Sequence, residues 1–142
     1  MKIYIILLLF SLCWLAVSHQ TRSGEKSPMR IQLDAFSGRP NPTWSLNDEE
    51  AGEFLARFKA LKTSDSRRTP YDGLGYRGFK VAGFQDYDEV TVWDEIVEAS
   101  HGGKRYQWLD GGRGLEKFLL KTSKSHIDED LYRVITSAVE KH

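Results

Sequence analysis

A short proline-rich stretch carries the residue types in this chain that are best suited to binding. It spans residues 36–44 and reads Phe-Ser-Gly-Arg-Pro-Asn-Pro-Thr-Trp. Proline fixes its own φ and disfavours a helical conformation in the residue before it, so Arg39 and Asn41 are expected to be extended. The stretch therefore predicts a stiff loop, residues 38–44, that presents a guanidinium and an amide beside the indole of Trp44.

An exposed aromatic ring beside a few fixed polar groups is typical of sites that bind sugars or peptides. On this basis Arg39, Asn41 and Trp44 are predicted binding residues, and Tyr76, at the start of a predicted strand, is a further aromatic candidate. A second interpretation stands beside this one. In it, Trp44 fills the core while Arg39 forms a structural ion pair with Asp34 or Asp110.

Carboxylates offer an alternative chemistry. Glycoside hydrolysis uses a pair of acids, and Asp94, Glu95 and Asp110 could supply one. A small secreted hydrolase with carboxylates near Asp110 is therefore the alternative function. However, any chain with 20 acidic residues offers such pairs, and no G-x-S-x-G motif marks a nucleophile. We therefore predict no catalytic residues.

The motifs for cofactors and metals are incomplete. Residues 73–78 match the letters G-x-G-x-x-G, but a polar loop precedes them and a predicted strand follows, whereas a dinucleotide fingerprint follows a strand and opens a helix. His101 and His126 lack the helical spacing of a zinc motif. The acids within residues 86–89 lack the glycine and distal glutamate of an EF-hand, although weak calcium binding stays open. The sequence thus predicts turn glycines and solvated acids, with no cofactor and no metal site.

The first 18 residues predict a secretory signal peptide. Lys2 precedes an apolar run over residues 3–17, and residues 16–18 have the small-x-small pattern that signal peptidase cleaves. The run is shorter than the ~20 apolar residues of a membrane-spanning helix. Cleavage after Ser18 would remove Cys13, the single cysteine. We therefore expect a secreted, extracellular protein that is free of disulfides and has no membrane anchor after cleavage.

Charge narrows the classes of partner. The chain has 20 basic and 20 acidic residues, and loss of Lys2 leaves the mature protein close to neutral. A neutral chain without a basic stripe disfavours nucleic acid and membrane surfaces as partners. An extracellular polysaccharide or protein remains as the expected partner, and the sequence gives no indication of oligomeric state.

The elements around these residues predict one α+β domain over residues 30–142, after a flexible leader over residues 19–29. Residues 30–36 alternate between apolar and polar side chains, which indicates a strand. Asn47 and Glu50 match a capping box that begins a helix over residues 48–62. Residues 63–75 are polar and turn-rich, which predicts a long loop that is either mobile or functional.

The second half of the chain predicts an antiparallel meander followed by two helices. The strands cover residues 76–84, 89–97 and 104–109, and helices follow from residue 114 to residue 123 and from Asp128 onward. Tyr106 and Trp108 share one face of the last strand, and we expect both in the core. The order β-α-β-β-β-α-α predicts helices packed on one face of a mostly antiparallel sheet.

These patterns together predict a secreted, non-catalytic extracellular or matrix-associated binding protein. Loop 38–44 is its expected binding surface, with residues 63–75 as a possible extension.

Overall fold

The computed structural model describes residues 27–65 and 67–141. The predicted signal peptide, residues 1–18, and most of the predicted leader lie outside the described residues. Within residues 27–65 and 67–141, no helix is both long enough and apolar enough to cross a membrane.

Seven strands and three helices make up the described part of the chain. In order they are β1 (Arg30–Asp34), β2 (Thr43–Ser45), α1 (Asp48–Lys59), β3 (Lys62–Thr63), β4 (Gly78–Ala82), β5 (Glu89–Trp93), β6 (Ile96–His101), β7 (Lys104–Leu109), α2 (Gly114–Ser123) and α3 (Glu129–Glu140). The strands pair antiparallel in one sheet, in the order β2-β1-β4-β5-β6-β7-β3. The predicted α+β fold with a mostly antiparallel sheet is confirmed.

The sheet has one apolar and one polar face, as alternation along antiparallel strands requires. Two rows of paired residues on the apolar face are fully or almost fully buried: Ile31, Val81, Val90 and Ala99, and beside them Leu33, Phe79, Val92 and Val97. The helices cover this face with apolar side chains such as Phe54, Leu119 and Ile135. The intervening row is polar and runs through Gln32, Lys80, Thr91, Glu98 and Gln107.

The start of α1 confirms the predicted capping box. The side chain of Asn47 accepts a hydrogen bond from the backbone N–H of Glu50 at 2.9 Å, and the Glu50 carboxylate accepts one from the backbone N–H of Asn47 at 3.0 Å. Both bonds satisfy N–H groups that a helix start leaves without an intrahelical partner. This signal could be detected from the sequence because it is entirely local.

The strand predicted over residues 89–97 is wrong as a single element. The chain instead turns at Asp94 and Glu95, and the two halves pair as β5 and β6. Both turn residues have positive φ, 40° and 65°, as a tight turn between two antiparallel strands requires. Such turns usually contain Asn-Gly or Asp-Gly, so the pair Asp-Glu did not indicate a turn in the sequence. The turn brings Asp94 to the end of the sheet.

Tyr106 was predicted to lie in the core, and this prediction is wrong. It is 42% exposed, whereas Trp108 on the same face is half-buried and packs against Phe58 and Tyr87. β7 lies next to the edge strand β3, and Trp108 packs against the core cluster whereas Tyr106 does not belong to it.

Candidate functional site

Trp44 is part of the core. It is 5% exposed, its ring meets the edge of Phe79, and its indole N–H donates to the hydroxyl of Thr122 on α2 at 3.1 Å. His126 stacks parallel to the indole at 5.8 Å between ring centroids. With these neighbours the indole has no open face for a ligand, so of the two interpretations of Trp44 the core one holds.

The other two residues of loop 38–44 hold the loop together. Asn41 Oδ1 accepts from the backbone N–H groups of Ala35 and Phe36 at 3.0 and 2.8 Å, and its amide donates to Asp34 at 3.2 Å. The guanidinium of Arg39 lies over the Phe36 ring, 3.6 Å from its centroid. Asp34 forms ion pairs with Arg77 and Lys80 and not with Arg39. The structure therefore does not gather Arg39, Asn41 and Trp44 around one open surface.

Tyr76, the fourth candidate, lies elsewhere, in a cleft of about 660 Å³ at the end of the sheet. One wall consists of residues 68–72 with Tyr76 and Arg77. The other wall consists of Trp93 and Asp94 at the end of β5, and Arg113 and Glu116 at the start of α2. We call this the Tyr76 cleft. Its volume lies within the range of about 300–1,000 Å³ that small-molecule sites occupy.

Glu116 forms the base of the Tyr76 cleft. It is 0% exposed, and its Oε1 accepts a hydrogen bond of 2.6 Å from the Tyr76 hydroxyl. Burial raises the pKa of the Glu116 carboxyl, and the hydrogen bond from Tyr76 with the charge of Arg113 offsets only part of that rise. Burial, reinforced by Glu116, also raises the pKa of the Tyr76 phenol, so the phenol stays protonated and remains a donor.

Asp94 lies between two guanidinium groups. Its Oδ2 accepts from Arg68 and its Oδ1 from Arg113. Partial burial works to raise the pKa of the Asp94 carboxyl, but these two charged hydrogen bonds outweigh it and the pKa is lowered. The pKa values of these two carboxyl groups are thus shifted in opposite directions. That of Glu116 is raised because the group is sealed from water, and that of Asp94 is lowered because the group is paired with two guanidinium groups.

Arg113 connects these groups with the end of α3. Its Nη1 donates to the carbonyl groups of Ala138 and Val139, each at 3.0 Å, which are among the carbonyls that a helix end leaves without an intrahelical partner. Its Nη2 donates to Asp94, and its Nε lies 3.6 Å from Glu116 Oε2. Arg113 therefore joins α2, α3 and the β5–β6 turn around the Tyr76 cleft.

The chain reaches this geometry through an uncommon backbone conformation. Arg113 is in the left-handed region, with φ 58°, directly after Gly112 with φ 72°. The Asp110 carboxylate compensates by accepting from the backbone N–H groups of Leu115 and Glu116 at 2.9–3.1 Å. Left-handed residues other than glycine are costly and cluster at functional sites. Here Asp94, Glu95 and Arg113 share one end of the sheet.

Asp110 therefore acts as a cap for α2. It is buried, and both of its oxygens are occupied by helix amides. It does not line the Tyr76 cleft. Asp94, from the same set of sequence candidates, does line it.

Three buried side-chain polar atoms in residues 27–65 and 67–141 lack a hydrogen-bond partner, and all three belong to residues that line the Tyr76 cleft. They are Trp93 Nε1, Arg113 Nε and Glu116 Oε2. Buried polar groups in native proteins are nearly always paired, so each exception requires an explanation. Their coincidence in one cleft marks it as the candidate site.

Sequence reasoning identified Tyr76 and considered Asp94, but it missed Trp93, Arg113 and Glu116. The sequence shows a glycine-rich run before α2. However, no local pattern indicates that this run lies close in space to residues 68–77 or to the end of β5. The side chains meet through sheet pairing and helix packing. Among the described residues, no group of three or more His, Cys, Asp or Glu side chains could hold a metal ion.

Comparisons of the chain with protein-family models, curated proteins and solved structures found no match. The function is therefore argued from the geometry of the Tyr76 cleft.

Proposed function

We propose that this chain is a secreted, non-catalytic extracellular binding protein that binds a sugar unit of a polysaccharide in the Tyr76 cleft. The observation that carries the proposal is the set of three buried polar atoms without a hydrogen bond, Trp93 Nε1, Arg113 Nε and Glu116 Oε2, of which the last two form an ion pair at 3.6 Å. A ligand that pairs with them removes the cost of leaving them buried and unsatisfied.

The chemistry of these atoms favours a hydroxylated ligand. Trp93 Nε1 is a donor without an acceptor, and Arg113 Nε is a donor whose ion-pair partner, Glu116 Oε2, lies beyond hydrogen-bond distance at 3.6 Å. Glu116 Oε2 accepts when the carboxyl is ionised and can donate when it is protonated. A sugar hydroxyl donates and accepts at the same time, so adjacent hydroxyls can satisfy the whole set in either state of Glu116.

Aromatic side chains in the cleft walls support the same ligand class. Tyr71 is exposed, Tyr76 is partly buried, and Trp93 lies beneath the Arg68 guanidinium. Apolar surface combined with a small number of fixed polar groups is the usual composition of a small-ligand site.

The state of Asp94 supports binding in preference to catalysis. An acid pair for hydrolysis would need Asp94 as a base or a nucleophile. Both of its oxygens accept from guanidinium groups, which lowers the pKa of the carboxyl and makes the carboxylate a weak base. Asp110, the centre of the alternative hydrolase hypothesis, is occupied as a helix cap.

The test is a binding titration of residues 19–142 against a panel of oligosaccharides, with extended peptides as a second panel. Trp93→Phe removes the indole N–H and keeps a ring, and we expect it to weaken sugar binding about 3–10-fold, as loss of one hydrogen bond does. Arg39→Ala is the control, because the contact described for Arg39 is with the Phe36 ring. Thermal unfolding of both variants establishes that they fold.

Each other outcome has a distinct meaning. Loss of binding in Arg39→Ala alone would return the site to loop 38–44. Peptide binding that is sensitive to Trp93→Phe would keep the site and replace the ligand class. Cleavage of a bound sugar that is lost in Asp94→Asn would make the protein a hydrolase.

A further inference from the structure

Trp93 Nε1, Arg113 Nε and Glu116 Oε2, the three atoms of the Tyr76 cleft without a hydrogen bond, are sealed from solvent in the conformation described. A ligand can therefore reach them only if part of the cleft wall moves. Residues 68–77, which we call the strap, run from one end of the cleft to the other and supply most of one wall. The two ends of the strap are anchored very differently.

The Arg77 end is held by buried, multiple contacts. The backbone N–H of Arg77 donates to the carbonyl of Asp34 at 2.7 Å. Its guanidinium donates to the Asp34 carboxylate, to the Phe36 carbonyl at 3.0 Å and to the Gly73 carbonyl at 3.2 Å. The side chains of Arg77 and Asp34 are each 15% exposed, so solvent and salt screen this ion pair little.

The Arg68 end is held by exposed contacts. The Gln107 amide accepts from the Arg68 N–H at 3.0 Å and donates to the Arg68 carbonyl at 2.7 Å. The Arg68 guanidinium donates to the carboxylate and to the carbonyl of Asp94. The side chains of Arg68 and Asp94 are 45% and 41% exposed, and exposed ion pairs contribute little because water screens them.

Between these ends the strap has few ties to the rest of the molecule. Within the described residues, the hydrogen bonds of residues 69–75 run to one another or to Arg77, as with the Tyr71 hydroxyl, which donates to the Leu74 carbonyl. Tyr71 and Leu74 are exposed. Release of the Arg68 end therefore breaks little else.

We infer that the strap is a gate for the Tyr76 cleft, which opens at Arg68 and hinges at Arg77. The inference rests on the proposed function, because it concerns how ligand enters that site. Gln107 is the latch, since its amide holds both backbone groups of Arg68. Opening takes the Arg68 guanidinium off the Trp93 ring, which it covers at 5.1 Å from the ring centroid.

The test uses proton exchange of the Trp93 indole N–H, followed by NMR in residues 19–142 without ligand. This N–H is buried and has no acceptor, and the gate predicts that it exchanges when the strap admits water. We expect Gln107→Ala to speed this exchange about 3–10-fold, and salt to speed it only slightly in the wild type, because Arg68–Asp94 is an exposed ion pair that contributes little. Exchange of the Arg77 backbone N–H should stay unchanged, because that end is the hinge.

Glu98→Gln is the matched control. The Glu98 carboxylate accepts from Gln107 at 2.6 Å, so Gln107→Ala also removes a partner of Glu98. Glu98→Gln alters that group and leaves the contacts of Gln107 with Arg68 in place. The gate predicts no faster indole exchange in this variant. Exchange as fast as in Gln107→Ala would show that the latch is not Gln107 and would overturn the inference.

Two further results separate the gate from the proposed function. If Arg77 exchange accelerates together with that of the Trp93 indole, the strap opens at the wrong end and the inference fails, whatever the ligand. If Gln107→Ala speeds indole exchange but no sugar or peptide binds, the gate stands and the proposed function fails. Where a sugar does bind, its association rate should rise in Gln107→Ala by the same factor as the indole exchange.

Discussion

Glu116 is a buried carboxyl group whose loss of hydration is only partly offset by its neighbours. An acid that is fully buried loses its hydration, and it persists only where partners offset that loss. Glu116 has the Tyr76 hydroxyl and the nearby Arg113, but one oxygen is left without a hydrogen bond. The protonated form is therefore more favoured in the folded state than in the unfolded state, and this has a consequence for stability that can be measured.

The consequence is a loss of stability as the pH rises. The pKa of Glu116 is raised in the folded state above its ordinary value of 4.5. The stability that protonated Glu116 contributes to the folded state is thus complete below pH 4.5. It is lost as the pH rises through the folded-state pKa. In Glu116→Gln the group does not titrate, and the amide can still accept from Tyr76. We expect the free energy of unfolding to fall more with rising pH in the wild type than in Glu116→Gln.

Urea denaturation at a series of pH values between about pH 4 and pH 8 measures this difference. Glu140→Gln, which removes an exposed carboxylate from α3, is the control and should follow the wild type. Asp94 is present in all three proteins, so its opposite shift cancels. Parallel curves for the wild type and Glu116→Gln would contradict the assignment of a raised pKa.

Trp44 illustrates the limit of prediction at the scale of a residue. Its neighbours in the sequence are polar and turn-forming, which suits an exposed platform as well as a core position. Its environment is decided by Thr122, which lies 78 residues away in the chain. No local pattern contains that information.

At the scale of elements, Gly78 allows β4 to approach β5 closely. It is the first residue of β4 and has φ 107°. A Cβ at this position would lie 2.4 Å from the Val92 carbonyl oxygen and 2.7 Å from the Trp93 Cβ. The G-x-G-x-x-G letters thus end on a glycine that begins a strand and is required by packing against β5, whereas the sequence had predicted turn glycines.

We expect Gly78→Ala to lower the free energy of unfolding by roughly 2–5 kcal/mol, from backbone strain and a steric clash together. Gly52→Ala, in the interior of α1, is the matched substitution. Apart from the neighbouring residues and backbone of α1, no atom of the described residues lies within 4 Å of a Cβ there, so it should raise the free energy by about 0.5–1 kcal/mol. Chemical denaturation of both variants checks the pair, and equal effects of the same sign would contradict this account.

The elements that the sequence predicted well are those with local signals. The capping box of Asn47 and Glu50 begins α1, and Asp128 caps α3 through a bond from the Leu131 N–H. The strands β2 and β3 were missed because they have only three and two residues, too few for alternation to be recognised. Their existence depends on neighbouring strands that offer free backbone groups.

At the scale of the whole molecule, the open prediction is secretion. The residues that would carry the signal lie outside the part that the structure describes. When the full chain is expressed in a secreting host, we expect protein in the medium that begins at His19, as measured by intact mass. Leu8→Arg interrupts the apolar run and should prevent export. Exported protein that still contains Cys13, or wild type that stays in the cell, would contradict the predicted cleavage.

The sequence by itself determined the presence of three helices, the capping box of α1, the start of α3 at Asp128, the α+β class and the absence of any intrachain disulfide, which one cysteine cannot form. These follow from composition and from interactions between residues a few positions apart. The tertiary structure alone decided the site. Tyr76, Asp94, Arg113 and Glu116 meet because the β5–β6 turn, the start of α2 and the strap converge at one end of the sheet. That convergence depends on strand pairing and helix packing between distant segments, and so does the burial that shifts the pKa of Glu116 and removes Trp44 from the surface.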